Sequence, residues 1–443
     1  MALPSEPGEL DPGPMWKLAV PLAAQQVGFQ LMGTVDSALL GHHSQTALAA
    51  SGVGNNLLFA ITSIGLGIVM GLDTVIPQAI GGGRMVDARR YLSSGLALAV
   101  LVGIACSIAV LAAPAILALA DVAPDVTDAA RTYIYLRAIG IVPFLVSIAL
   151  RSYLAARNVT RPLIIAVIAG NVANAALDLV LIFGVPSLGI PALGIVGAAL
   201  ATLAVQLVIT GVYFAAVRTL DTGPRPAATR ADVVEIARYG GPVGGQLLAE
   251  VGIFGVATVL AAHLGTRSAA AHSIALNLAS FTFAVAVGIG SATSVRVGHA
   301  IGAGDRALAR RRGLEGVAIG LGCMGISAIV FLAVPAIIAA WFTDEPAVVA
   351  ATVPLLQIAA LFQLSDGTQA IGAGALRGLG DTRATLVGNL IGHYGVGLGI
   401  SIVLAFPCGL GVAGLWWGLS GGLTATAAYL VLRFVVVTRT ASR

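Results

Sequence analysis

Apolar runs long enough to cross a bilayer follow one another along almost the whole chain, and this recurrence decides the class of fold. A span needs about 20 apolar residues. The runs fall near 17–41, 47–80, 91–118, 130–153, 162–184 and 194–217, then near 236–262, 268–299, 313–341, 349–376, 384–406 and 411–436. The expectation is an all-α polytopic membrane protein with twelve transmembrane helices. A mean hydropathy of +0.95 and a charged fraction of 10% make lipid its solvent and exclude an ordinary soluble domain.

Charge placement predicts the orientation. Arginines cluster in alternate loops: Arg84, Arg89 and Arg90; Arg157 and Arg161; Arg218, Arg225 and Arg230; Arg306, Arg310, Arg311 and Arg312; Arg377 and Arg383; Arg439 and Arg443. The positive-inside rule makes those loops cytoplasmic. The other loops carry Asp121, Asp125, Asp128, Asp344 and Glu345, so both termini are expected inside. The arginines read as topology signals, so the pI near 9.2 does not point to nucleic acid. Ala, Gly and Arg richness suggests a GC-rich bacterial genome, hence the bacterial cytoplasmic (inner) membrane. Met1 to Pro14 is acidic and has no basic region before an apolar core, so no cleaved signal peptide is expected. Cys106, Cys323 and Cys408 are isolated, which indicates neither a disulfide framework nor a zinc site.

An internal repeat sets the architecture. A shift of 221 residues lays Pro21 on Pro242, Gln25 on Gln246, Asn56 on Asn277 and Gly67 on Gly288, and aligns the stretch from Ala79 to Gly83 with Ala300 to Gly304. Further on, Thr160-Arg161 matches Thr382-Arg383, and Leu193-Gly194 matches Leu410-Gly411. The polar connector Arg218 to Asp232 separates the copies. The expected organisation is an N-terminal six-helix bundle over 1–217, a cytoplasmic linker over 218–235 and a C-terminal six-helix bundle over 236–443. Six spans separate equivalent helices, so both copies enter the membrane in the same sense, an arrangement that places a transport pathway between repeats.

Polar groups inside the spans carry the candidate chemistry. A carboxylate near mid-bilayer costs about 2.5 to 3.5 kcal/mol to insert and should face a protein-lined or watery interior. Asp36 sits deep in the first run, which also holds Gln30 and the helix-bending Pro21. Asn171, Asn174 and Asp178 share one face of the fifth helix. Gln246 and Glu250 share a face of the seventh, Gln363, Asp366 and Gln369 form a ladder on the tenth, and Asn389 and His393 lie on the eleventh. Interhelical hydrogen-bond glue is the competing use of such groups. The carboxylates depart from the repeat, however: Ala257 stands at the position equivalent to Asp36, and Phe29 at that equivalent to Glu250. Shared ancestry of the halves therefore does not account for them. Asp73 is expected near a cytoplasmic helix end, within reach of water.

These residues in this order resemble the multidrug and toxic compound extrusion (MATE) family of secondary antiporters. The resemblance rests on VPLAAQQVGFQLMGTVDSALLG in the first helix, GGGR closing the second, RNVTRPLIIAVIAGNVANAALDLVLIFG in the fifth, SVRVGHAIGAGD after the eighth and ALRGLGDTRATLVGNLIG entering the eleventh. It implies two six-helix bundles around a central cavity, and export of amphipathic, mostly cationic organic compounds coupled to inward proton or sodium flow. It implies no enzyme activity, no cofactor beyond the coupling ion, no metal beyond sodium at the carboxylates, and a monomer in the lipid bilayer. By the same resemblance Asp36, Asn174 and Asp178, with Glu250 and Asp366, are the ion-coupling residues. Gln30, Asn171, Gln246, Gln363, Gln369, Asn389 and His393 are the expected cavity-lining group, and Pro21 the expected hinge. Phe362, one turn before Asp366, departs from members with a tyrosine there that helps a sodium site, which counts against sodium coupling through that bundle.

Two other classes compete with this one. An intramembrane aspartyl protease would use a G-x-G-D motif, and both Gly302-Ala303-Gly304-Asp305 and Gly378-Leu379-Gly380-Asp381 match, but each lies beside arginines in a loop. A lipid-linked oligosaccharide flippase of a related fold is the alternative. An anionic lipid would call for cavity arginines, and the sequence pattern puts only Arg137 inside a span.

Overall fold

The computed structural model describes residues 13–119, 123–221, 223 and 226–439, which fold almost entirely into helices. Residues 1–12, Asp121, Arg225 and Arg443, which entered the charge reading, lie outside the described residues. The elements run α1 (Trp16–His43), α2 (Gln45–Val69), α3 (Leu72–Gly81), α4 (Met85–Leu111), α5 (Ala113–Leu119), α6 (Pro124–Ile139), α7 (Ile141–Ala156), α8 (Arg161–Phe183) and α9 (Ile195–Leu220). They continue as α10 (Arg230–His263), α11 (Thr266–Gly302), α12 (Arg306–Ala333), α13 (Pro335–Ala340), α14 (Pro346–Leu379), α15 (Thr382–Asn389), α16 (Leu398–Ala405) and α17 (Gly411–Arg439).

These pieces make twelve membrane crossings. Ten helical stretches are long and apolar enough to span by themselves, and α6 with α7 forms an eleventh, bent by 43°. The 28-residue α1 is the twelfth. The α6/α7 bend falls at Gly140, and Pro143 follows it, the pairing of residues that most readily interrupts a helical ladder. Large apolar side chains such as Ile108, Val172, Ile326 and Ile329 are exposed, as expected where lipid is the solvent.

The described residues pack as two compact units. One takes its residues from Met1–Ala23, Pro77–Arg84 and Gly245–Arg443; the other comprises Ala24–Ile76 and Met85–Gly244. Each unit thus holds most of one sequence half together with short helical pieces of the other. The cause is legible in the glycines. In the second unit α2 crosses the start of α10 so closely that a Cβ on Gly67 would sit 2.1 Å from the Gly244 nitrogen, and one on Gly240 would sit 1.9 Å from the Ile68 oxygen. In the first unit, a Cβ on Gly288 of α11 would sit 2.3 Å from Ala23 Cα of α1. Gly67 and Gly288 are repeat equivalents, as are Gly244 and Ala23, so one crossing is the image of the other. A second matched pair lies in the first unit, where Gly81 meets the His299 backbone and Gly302 meets that of Gln78. Only glycine lets two helix backbones approach this closely.

Three chain crossings between units occur inside helices or at a helix break, and each lies within three residues of a proline: Pro21, Pro77 and Pro242. Pro21 sits inside α1, beyond its first turn, and α1 continues unbroken past it.

Candidate functional site

In the unit that contains most of the first half, α1 supplies Asp36, α8 supplies Asn174 and Asp178, and α9 supplies Thr202. Asn174 and Asp178 are fully buried and Asp36 is 7% exposed. The three-and-four spacing on α8 therefore turns inward, as the sequence pattern requires. Thr202 Oγ1 donates to Asp36 Oδ2 at 3.1 Å. Asp36 and Arg137 are the charged neighbours that act on Asp178. The Arg137 guanidinium lies 5.6 Å from the centre of the Tyr133 ring, and the Tyr133 hydroxyl donates to Asn55 Oδ1 at 3.1 Å. Asp36 Oδ1, both carboxylate oxygens of Asp178 and both side-chain polar atoms of Asn174 have no hydrogen-bond partner among the described residues. Asn171, on the same helix, is only half-buried, and its Nδ2 donates to its own helix at the Val167 carbonyl. Gln30 is half-buried on α1.

The unit that contains most of the second half has a differently organised cluster. Glu250 Oε1 accepts from Gln246 Nε2 at 3.0 Å and from Gln369 Nε2 at 2.6 Å. Gln369 also donates to Asn389 Oδ1, and Asn389 donates to the Thr385 carbonyl. The carboxylate thus joins α10 to α14, and Gln369 ties α14 to α15. Asp366 is 6% exposed and within the electrostatic reach of Glu250. Gln363 is fully buried with neither polar atom partnered, and His393 Nε2 is likewise without a partner. His393 stands in a π-helical stretch, Leu390–Gly397, an insertion in the α-helical ladder that recurs at functional sites. Its ring meets Phe254 edge-on; Phe254 meets Phe362, and Phe362 meets Trp416.

Several further polar groups stand out in the structure. Thr202 is one, a lone threonine whose partner is 166 residues away. Arg151 is another: it is 5% exposed, and its Nε donates to Gln25, which in turn donates to Tyr213. This corrects the expectation that Arg137 is the only arginine within a span. Asp73 is 4% exposed and accepts from Ser152 Oγ at 2.6 Å, so it is buried rather than in reach of water, because the break between α2 and α3 turns it inward. His272 is fully buried and bonded on both ring nitrogens, to Trp416 and Thr258. No group of three or more His, Cys, Asp or Glu placed to hold a metal ion occurs among the described residues.

The MatE family profile matches residues 21–180 and 242–404. A probable multidrug resistance protein NorM from Bradyrhizobium diazoefficiens is 36% identical over 437 residues, covering 96% of this chain and 93% of that relative. The probable multidrug resistance protein NorM of Pseudomonas aeruginosa is 33% identical over 445 residues, covering 97% and 90%. Among solved structures, the outward-facing conformation of a multidrug resistance MATE family transporter of the MOP superfamily superposes with a TM-score of 0.89 over 99% of each chain, at 18% identity.

Proposed function

Because the chain belongs to the MatE family of membrane transporters, we propose that it is a secondary antiporter that exports amphipathic, mostly cationic organic compounds by alternating access, driven by inward proton or sodium flow. Multidrug resistance is the role carried in the names of its NorM relatives. The observation that carries the coupling is the Asp36 and Asp178 pair. Two carboxylates buried side by side, with three of their four oxygens unpartnered, call for a positive charge. A proton, a sodium ion or a cationic substrate can supply it, and only one can do so at a time. Competition for one charge couples the fluxes: the entering ion displaces the drug outward, and its release to the cytoplasm restores drug affinity.

Energetics bound what this exchange can do. An elementary charge crossing 100 mV yields about 2.3 kcal/mol, and one pH unit about 1.4 kcal/mol. When one proton is exchanged for one monovalent cation the electrical term cancels, and the pH term sustains about a tenfold gradient. A steeper gradient needs a second ion, for which Glu250 and Asp366 are the available carboxylates. The donor set at the first cluster, two carboxylates with an amide and a hydroxyl, is one of hard oxygen ligands and suits sodium as well as a proton.

The decisive experiment is efflux of a cationic dye from sealed vesicles under an imposed pH or sodium gradient. Export driven by either gradient is expected, and export indifferent to both would overturn the antiport reading. The placement in the bacterial inner membrane with cytoplasmic termini is tested by labelling: Arg306→Cys should react only from the cytoplasmic side and Asp344→Cys only from outside.

A further inference from the structure

The end of α12 carries an arginine cluster that the transport reading does not use. A cavity of about 900 Å³ is lined by Arg306, Arg310 and Arg311 of α12 and by Arg439 of α17, with Thr438 and Leu314 beside them. Asp305, which also lines the cavity, caps α12 by accepting from the Leu308 backbone at 2.8 Å. Arg312 is paired with Glu315 at 2.9 Å. Arg306, Arg310 and Arg311 make no ion pair or hydrogen bond among the described residues, and Arg310 Nε is buried without a partner.

The repeat supplies a control. The residues equivalent to Arg310 and Arg311 are Arg89 and Arg90. Both are neutralised, Arg89 by Asp221 at 3.1 Å and Arg90 by Asp232 at 2.8 Å. The position equivalent to Asp221 is Ser442. Orientation signals require arginine in a loop and nothing more. They do not account for a pair compensated in one half and uncompensated, around a cavity, in the other.

Clustered guanidinium groups bind phosphate through paired N–H donors. The apolar residues beyond them on α12 identify the kind of phosphate. Leu314, Ala318 and Leu321 continue the face of Arg310 at four, eight and eleven residues further on, and all three are exposed. A soluble phosphate would use the arginines alone, whereas a phospholipid would use both features, its headgroup on the cations and an acyl chain along the apolar ridge. We infer that this cavity binds the headgroup of an anionic phospholipid, in the manner of other basic pockets between membrane helices.

Native mass spectrometry of the purified full chain tests this, with titrations of phosphatidylglycerol and of phosphatidylcholine bearing the same acyl chains. The wild type should retain phosphatidylglycerol at least several-fold more tightly than phosphatidylcholine. The Arg310→Gln/Arg311→Gln pair should weaken phosphatidylglycerol about 25-fold, fivefold per arginine, and leave phosphatidylcholine unchanged. Arg383→Gln, an exposed arginine on α15, should change neither. If the glutamine pair does not insert, Leu314→Asp decides, because it keeps the arginines and sets a carboxylate among them; it should abolish the lipid preference. Equal affinity for the two lipids in the wild type, or an undiminished preference in the inserted glutamine pair or in Leu314→Asp, overturns the site. So does complete displacement of the lipid by millimolar inorganic phosphate, which would make the ligand a soluble phosphate.

Discussion

The two polar clusters use similar residues to opposite ends. Around Glu250 the amides of Gln246 and Gln369 point at one oxygen, and Asn389 accepts from Gln369, so the carboxylate joins α10 to α14 and Gln369 ties α14 to α15. Around Asp178 the neighbours are another carboxylate and an asparagine that makes no side-chain hydrogen bond among the described residues, and Thr202, the only side-chain donor to the pair among those residues, serves Asp36. A satisfied buried network rigidifies what it joins, whereas an unsatisfied one marks a place where a partner comes and goes. From this difference we propose that ion exchange falls first to the Asp36 and Asp178 cluster, while the Glu250 network cross-links helices. Asp366, Gln363 and His393 form the part of the second cluster that the network leaves open.

The largest effect should come from removing charge at the open cluster. Asp36→Asn and Asp178→Asn should each reduce gradient-driven dye export to background while the protein still inserts, because asparagine keeps the shape but cannot exchange a proton. Glu250→Gln keeps an oxygen for both amides and should retain measurable export. Full activity of both aspartate variants would transfer coupling to Glu250 and Asp366 and reverse the comparison. Next comes Thr202→Val. A hydrogen bond to a charged group contributes about 1.5 to 3 kcal/mol, so its loss should move the pH or sodium midpoint of export by about tenfold in ion concentration or more, whereas Thr202→Ser should hold the wild-type midpoint. An unmoved midpoint in the valine variant would mean that Asp36 takes no part in ion binding.

These contrasts were only partly legible in the sequence. The twelve spans were, because a bilayer demands long apolar runs, and so was the inward turn of Asn174 and Asp178, because helical spacing puts them on one face. What the sequence could not rank is which carboxylates are satisfied. Glu250 and Asp178 look alike in the chain, and the donor that distinguishes them, Gln369, comes from a helix over a hundred residues away. Thr202 and the Arg151–Gln25 pair escaped notice for the same reason: a threonine or arginine in an apolar helix shows its purpose only through a partner that tertiary packing brings to it. The glycine pattern was half legible. Gly67 and Gly288 were visible as repeat partners, but that each lies against the first helix of the opposite half is a product of the fold alone.

A smaller effect sharpens the symmetry of those crossings. Gly67→Ala puts a Cβ 2.1 Å from a backbone nitrogen, and Gly288→Ala puts one 2.3 Å from a backbone Cα. Neither neighbour can swing aside, so each variant should lose about 1 to 3 kcal/mol of stability, read as a lower melting temperature in detergent. Gly241→Ala, with nothing within 4 Å, should be neutral or slightly stabilising. Unequal losses at positions 67 and 288 would show that the two crossings, although images in sequence, do not bear equal loads.

The smallest effect concerns the prolines beside the crossings. Pro21 and Pro242 are repeat equivalents, each just ahead of a point where its helix passes from one unit to the other, after Ala23 and after Gly244. Each removes one backbone donor and so weakens its helix at that point. Only α1 goes on to a carboxylate of the open cluster, since Asp36 follows Pro21 by the interval at which Ala257 follows Pro242. If ion binding at Asp36 changes how α1 packs, the bend should be taken up at the weak point on that helix, while the same weakness in α10 serves only the connection. Pro21→Ala should therefore slow proton-driven export more than Pro242→Ala at matched expression, with both proteins keeping equilibrium dye binding. Equal rates in the two variants would remove Pro21 as a hinge and leave both prolines as features of the chain crossings alone.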